Sequence, residues 1–187
     1  MGKLENHFIK YLVNLYEDVP LYLYVALGAI SYVGVILLFV RFGRTKGLLY
    51  SSRLLLLEYL FLLFCSTIFF RADNEEYGPI LLPFWSHVAV PKGSSQLIAE
   101  NIMNVLAFVP IGFLFGCAFR RVKWRAVLFI GLGLSVAIEV LQFVFKKGFS
   151  ETDDIMHNVL GCMIGYGIFS LIKLGYEKHN RRHIAVL

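Results

Sequence analysis

Long apolar runs alternate with short polar segments along the chain, and that alternation predicts its architecture. Positions 21–40, 102–119 and 155–172 contain no Asp, Glu, Lys or Arg, while 54–70 hold only Glu58 and 126–145 only Glu139. A bilayer core of about 30 Å takes roughly 20 helical residues. All five runs fit, so the pattern predicts an all-α, polytopic membrane bundle of five transmembrane helices. The first run is longer than the ~7–15-residue core of a signal peptide, and Glu5, Glu17 and Asp18 precede it, so it reads as a retained helix. Ahead of it, Phe8, Tyr11, Leu12, Leu15 and Tyr16 recur at helical spacing. They predict an N-terminal amphipathic helix lying in the interface, with a plain extension of the first span as the other reading. The implied divisions are an interfacial segment 1–20, a transmembrane domain 21–172 and a basic tail 173–187.

Punctuation refines this outline. Pro79, Pro83 and Pro91 forbid a regular span in the segment 71–100, which turns apolar and aromatic around Pro83, Phe84 and Trp85. A proline-broken, aromatic stretch of this kind suggests an interfacial lid, or a solvent loop anchored by Trp85. Pro110 falls within the third helix and predicts a kink. Gly112 and Gly116, and likewise Gly161 and Gly165, are small-xxx-small steps that let helices approach closely.

Charge adds orientation. Arg41, Arg44, Lys46 and Arg53 lie between the first two helices, Arg120, Arg121, Lys123 and Arg125 between the third and fourth, and Lys173, Lys178, Arg181 and Arg182 in the tail. Five spans place all these basic residues on one side, and the positive-inside tendency makes that side cytoplasmic, N-out and C-in. The net charge of +5 is then a signature of topology, and no nucleic-acid partner is needed to explain it. Composition agrees, with 58% hydrophobic and 17% charged residues in 187. Cys65, Cys117 and Cys162 fall inside apolar runs with no metal-ligand spacing, so they read as packing residues, and no cofactor is implied. Glu58, one turn inside the second helix, is read as a snorkelling residue or an ion pair with Arg53.

The remaining polar residues gather at one depth on the outer side. Arg71 ends the second helix; Asn101 and Asn104 open the third; Glu139 and Gln142 share a face near the outer end of the fourth. Asp153, Asp154, His157 and Asn158 open the fifth, with Asp154 and Asn158 one turn apart. Taken singly, the two acids could cap their helix and the asparagines could join helices. Glu139 is harder to explain as structure, since an acid at a helix centre costs about 2.5–3.5 kcal/mol on insertion scales. It needs a partner, a water-filled cavity or a proton, and Arg71, Gln142, Asn104 and Asn158 are the available partners. Together these residues predict an outward-facing polar pocket.

The same residues carry a resemblance. Arg71, Pro83-Phe84, then the patterns NxxxFxPxG at 104–112, SxxxExxQ at 135–142 and DDxxxNxxG at 153–161 resemble the VanZ-like family of small bacterial membrane proteins. The likeness covers roughly residues 55–170 and departs at Lys146-Lys147-Gly148-Phe149, where the family often has an arginine; a bidentate contact is lost there. It implies a multi-pass plasma-membrane protein linked to lowered susceptibility to teicoplanin-type lipoglycopeptides, with no implied reaction.

Two functions of different kinds follow. In the first, the pocket binds a lipid head group or a lipoglycopeptide. Arg71 and Lys146 or Lys147 meet phosphate or carboxylate, and Asn104, Gln142, Asp153 and Asn158 supply polar contacts, under a lid of Pro83, Phe84 and Trp85. In the second, an enzyme acts on a lipid-linked substrate such as a polyprenyl phosphate, with Glu139 as acid or base, Asp154 as second acid and Arg71 stabilising negative charge. The partners are membrane lipids, a lipid-linked cell-wall precursor or the lipoglycopeptide, and a homo-oligomer could complete a translocation pathway.

Overall fold

The structure is a computed structural model, and it describes residues 19–71, 78–80, 82, 95–119, 121–147 and 149–184. The N-terminal amphipathic segment, apart from Val19 and Pro20, lies outside the described residues, as do Pro83, Phe84 and Trp85. The described chain is helical apart from one short ladder: α1 Leu21–Phe64, a π-helical turn Cys65–Phe69, β1 Gly78–Ile80, α2 Ser95–Ala118, α3 Trp124–Val144, β2 Phe149–Glu151 and α4 Thr152–Ile184. Among the described residues, four helices are long and apolar enough to cross a membrane, the first of them counted through the π turn to Phe69.

That first helix does not run straight. Ser31 Oγ donates to Glu58 Oε2, although 27 residues of straight helix would hold them about 40 Å apart. A Cβ on Gly34 would meet Leu54, and one on Gly47 would lie 3.0 Å from Phe39 Cα. These pairs share a midpoint near Gly43, whose φ of 69° and ψ of 179° belong to a region open essentially to glycine. The chain therefore reverses there, and the arms 21–42 and 44–64 pack antiparallel. The Phe42 and Tyr50 rings close the bend at 4.8 Å. The sequence reading expected a loop over 41–53; the chain instead stays helical on both sides of one glycine.

Cross-helix contacts fix the other directions. Tyr59 donates to the Ala107 carbonyl at 2.7 Å, in the turn that Pro110 deprives of a donor, and Arg53 donates to the Ala118 carbonyl at 3.2 Å. The return arm and α2 thus run antiparallel. Gly161 and Gly165 abut the Val105 and Val109 carbonyls, so α2 and α4 are parallel, and this is the most extensive interface among the described elements. A methyl group at either glycine would collide with backbone, which is why small residues stand at these steps. Cys162 lies against Val127 and Tyr166 bonds the Val122 carbonyl at 3.0 Å, so α3 runs antiparallel to α4. Phe108, Ile111, Val127, Ile138 and Cys162 form the core of this packing.

Successive arms alternate in direction, and the bundle has two distinct ends. Gly43, the Ala118–Trp124 connection and the far end of α4 form one; the π turn and the starts of α2 and α4 form the other. Between them Phe129, Val140, Leu160 and Leu171 stand exposed, more apolar surface than a water-facing domain carries. Arg53 does not pair with Glu58 as expected. Its guanidinium lies over Tyr50 and Phe119, and Glu58 takes its hydrogen bond from Ser31.

Candidate functional site

On α3 the buried residues are Val127, Gly131, Ser135, Ile138, Glu139 and Gln142, a single stripe at helical spacing. The stripe is apolar near the Ala118–Trp124 connection and becomes polar toward the opposite end. Glu139 and Gln142 are each 4% exposed, Asp153 1% and Asn158 5%, so these polar groups face the bundle interior rather than lipid. Asn158 Nδ2 donates to Ser135 Oγ at 2.9 Å, joining α4 to α3. Gln142 Nε2 donates to the Thr67 carbonyl at 3.3 Å. That carbonyl belongs to the π turn, a widened turn of a kind frequent at functional sites. The Ser66 and Thr67 hydroxyls both bond back to the Leu63 carbonyl. The π turn delivers the chain to Arg71, which is half-buried.

The end of α3 builds the other wall. Lys146 has φ 55°, the Lys146 amide bonds the Phe143 carbonyl at 3.3 Å, and the Lys147 amide bonds the Gln142 carbonyl at 2.8 Å. These are the two bonds of a Schellman cap, with a lysine at the left-handed position glycine prefers. The cap turns the chain into β2, which pairs parallel with β1, Gly78 opposite Phe149 and Ile80 opposite Glu151. Thr152 Oγ1 adds a 3.4 Å bond to the Ile80 carbonyl. This ladder ties the long segment after α1 to the start of α4.

Glu139 meets that ladder. Its Oε2 accepts the Glu151 amide at 2.8 Å, the Ser150 hydroxyl donates to it, and the Arg71 charge acts on it. Asp154, half-buried in the first turn of α4, feels the charges of Glu139, Glu151, Glu100 and Arg71. Among the described residues, Arg71, Glu100, Glu139 and Glu151 thus all lie within electrostatic reach of Asp154, where α2, α3, α4 and the ladder meet. Asn104 is half-buried, and no hydrogen bond holds its side chain among the described residues. Asn158 and Gln142, considered as partners for Glu139, serve Ser135 and the Thr67 carbonyl instead. Among the described residues no three His, Cys, Asp or Glu side chains gather as a metal site.

Sequence reasoning missed Ser150, Glu151, Glu100 and Thr67. The polar run Ser150-Glu151-Thr152 just before the paired acids was the available signal. Nothing local indicates that Glu151 contributes its amide, because that role depends on the pairing of β1 with β2.

A VanZ/LLP1 family model matches residues 54–173, from the second half of the return arm through the ladder, α2 and α3 to most of α4. Protein VanZ from Enterococcus faecium is 31% identical over 72 residues, 38% of this chain and 45% of that protein. The match therefore spans less than half of this relative's length. No solved structure matches the chain.

Proposed function

Because the chain belongs to the VanZ/LLP1 family, we propose that it is a five-span plasma-membrane protein whose outer polar pocket binds a lipid head group or lipoglycopeptide, lowering susceptibility to teicoplanin-type drugs. The family match, the alternating arms and the gathering of Arg41, Arg44, Lys46, Arg121, Lys123 and Arg125 at the Gly43 end support this reading. With the amino terminus outside, the Glu139 end faces the compartment where such drugs meet the membrane.

The observation that carries the proposal is the sealed carboxylate. Glu139 sits in a helix apolar enough to cross a membrane, yet its hydrogen bond comes from a loop ladder and the Arg71 charge acts on it from the mouth of the bundle. Such an arrangement holds a carboxyl group ready near the interface without exposing it to lipid. The test is drug susceptibility of a sensitive bacterium expressing wild type or Glu139→Gln at matched membrane levels. Wild type is expected to protect against teicoplanin more than against vancomycin, and Glu139→Gln to lose that protection. Equal protection by the variant would refute the site; no protection by wild type would refute the role.

A second reading rests on the electrostatic coupling of Glu139 with Asp154. Two coupled carboxylates beside an arginine suit acid–base work on a lipid-linked substrate. Incubating purified protein with a polyprenyl phosphate or a phospholipid separates the readings: an enzyme converts it, a binding protein returns it unchanged.

A further inference from the structure

The two arms of α1 meet along a seam that carries polar groups. Gly47 faces Phe39, Leu54 faces Gly34, and Glu58 takes its hydrogen bond from Ser31, so these positions of the return arm point at the first arm. Ser51 falls in the same stripe at helical spacing, and it is buried, as is Ser31. The Ser51 Oγ has no hydrogen-bond partner among the described residues. A helical serine can bond back to the preceding turn, as Ser52 does to the Leu48 carbonyl at 2.8 Å, but Ser51 does not. A bare hydroxyl in apolar surroundings is costly unless water reaches it.

Depth sets the chemistry of the carboxyl. Ser31 stands ten residues from Leu21 and ten from Arg41, about 15 Å from either end of its arm. Glu58 is level with it and half-buried, and its open side borders the hydrocarbon that so apolar a helix crosses. Among the described residues no cation pairs with it. The first arm holds no Asp, Glu, Lys, Arg or His over 21–40, and α2 holds none over 102–119. The neighbouring Tyr59 gives its hydroxyl to the Ala107 carbonyl. On the return arm Arg53 lies over Tyr50 and Phe119 and bonds the Ala118 carbonyl. A carboxylate at this depth without a cation is unfavourable, and a proton removes its charge. A calcium or magnesium ion takes about six oxygens or more, which Glu58 and Ser31 do not supply.

We infer that the seam is an intramembrane proton-binding site. Glu58 carries an exchangeable proton, Ser31 holds the carboxyl in place, and Ser51, midway between Glu58 and Gly43, is the step by which water delivers the proton from the Gly43 end. The site shares no residue with the outer pocket, so neither assignment depends on the other.

Full-length protein in phosphatidylcholine vesicles is treated at neutral pH with dicyclohexylcarbodiimide or with a water-soluble carbodiimide, and peptide mass spectrometry locates the modified residue. The reaction requires the acid form. The carboxyl proton passes to one carbodiimide nitrogen, the carboxyl oxygen bonds the central carbon, and an O-to-N acyl shift leaves a stable N-acylurea with nothing released. Glu58 is expected to be modified by the membrane-soluble reagent and spared by the water-soluble one. An unmodified Glu58 would overturn the proton site, and that result is read on the wild type, whether or not a variant folds. Exchange is read by infrared difference spectroscopy. The protonated-carboxyl band that Glu58→Gln removes is expected to shift when wild type is moved into D2O, and to shift several-fold more slowly in Ser51→Ala. A band that does not shift would overturn the exchange, and an equal rate in Ser51→Ala would overturn the route through Ser51.

Discussion

At the Gly43 end of the bundle Arg41, Arg44, Lys46, Arg121, Lys123 and Arg125 all stand exposed, whereas at the opposite end Glu139, Gln142, Asp153 and Asn158 are sealed inside. Both sets of polar residues flank apolar helices. The first keeps its charges where water and head groups solvate them, and no fixed partner is required. The second withdraws its polar groups from solvent and must satisfy them with named partners. Glu139 takes the Glu151 amide, Asn158 takes Ser135, and Gln142 takes the Thr67 carbonyl. Polar residues at one end thus stand free of fixed packing, while those at the other are held in place by hydrogen bonds inside the bundle.

Substitutions should separate the ends by size of effect. The largest is expected for Glu139→Ala, which strands the Glu151 amide and the Arg71 charge. Removing one member of a buried charged set costs about 3 kcal/mol or more, read as a large drop in melting temperature of the detergent-solubilised protein. An unchanged melting temperature would mean that Glu139 is not integrated as described. A smaller loss, about 1 kcal/mol, is expected for Asn158→Ala, since interhelical hydrogen bonds in membranes are modest. The double variant with Ser135→Ala should add little to it, because both lose the same bond. Lys123→Gln, at the basic end, should leave the melting curve where it is; a shift comparable to Asn158→Ala would erase the distinction between the ends.

Much of this was legible in the sequence, and the failures have a common cause. All five apolar runs are helical, and the polar residues of three of them do collect at one end. These features follow from local periodicity and from the alternation of arms. The reversal at Gly43 was hidden because the flanking basic segment resembles a loop in composition, while its helix depends on packing between the arms. Composition near Glu58 suggests snorkelling or an ion pair with Arg53, yet its partner is Ser31, 27 residues away, reached only once the arms fold together. The β1–β2 ladder is three residues long on each side and joins segments about 70 residues apart, too short for any periodic signal. Since that ladder carries the Glu151 amide to Glu139, the residues of the pocket could be named from sequence but their wiring could not.

The opposition of the two ends is tested most directly by sided labelling of cysteines in intact cells. Leu82→Cys lies beside the ladder and is exposed; Lys123→Cys lies at the basic end and is exposed. A membrane-impermeant maleimide should label Leu82→Cys in intact cells and Lys123→Cys only after the membrane is opened. Labelling of Lys123→Cys in intact cells, with Leu82→Cys protected, would invert the orientation and place the polar pocket on the wrong side for the proposed role.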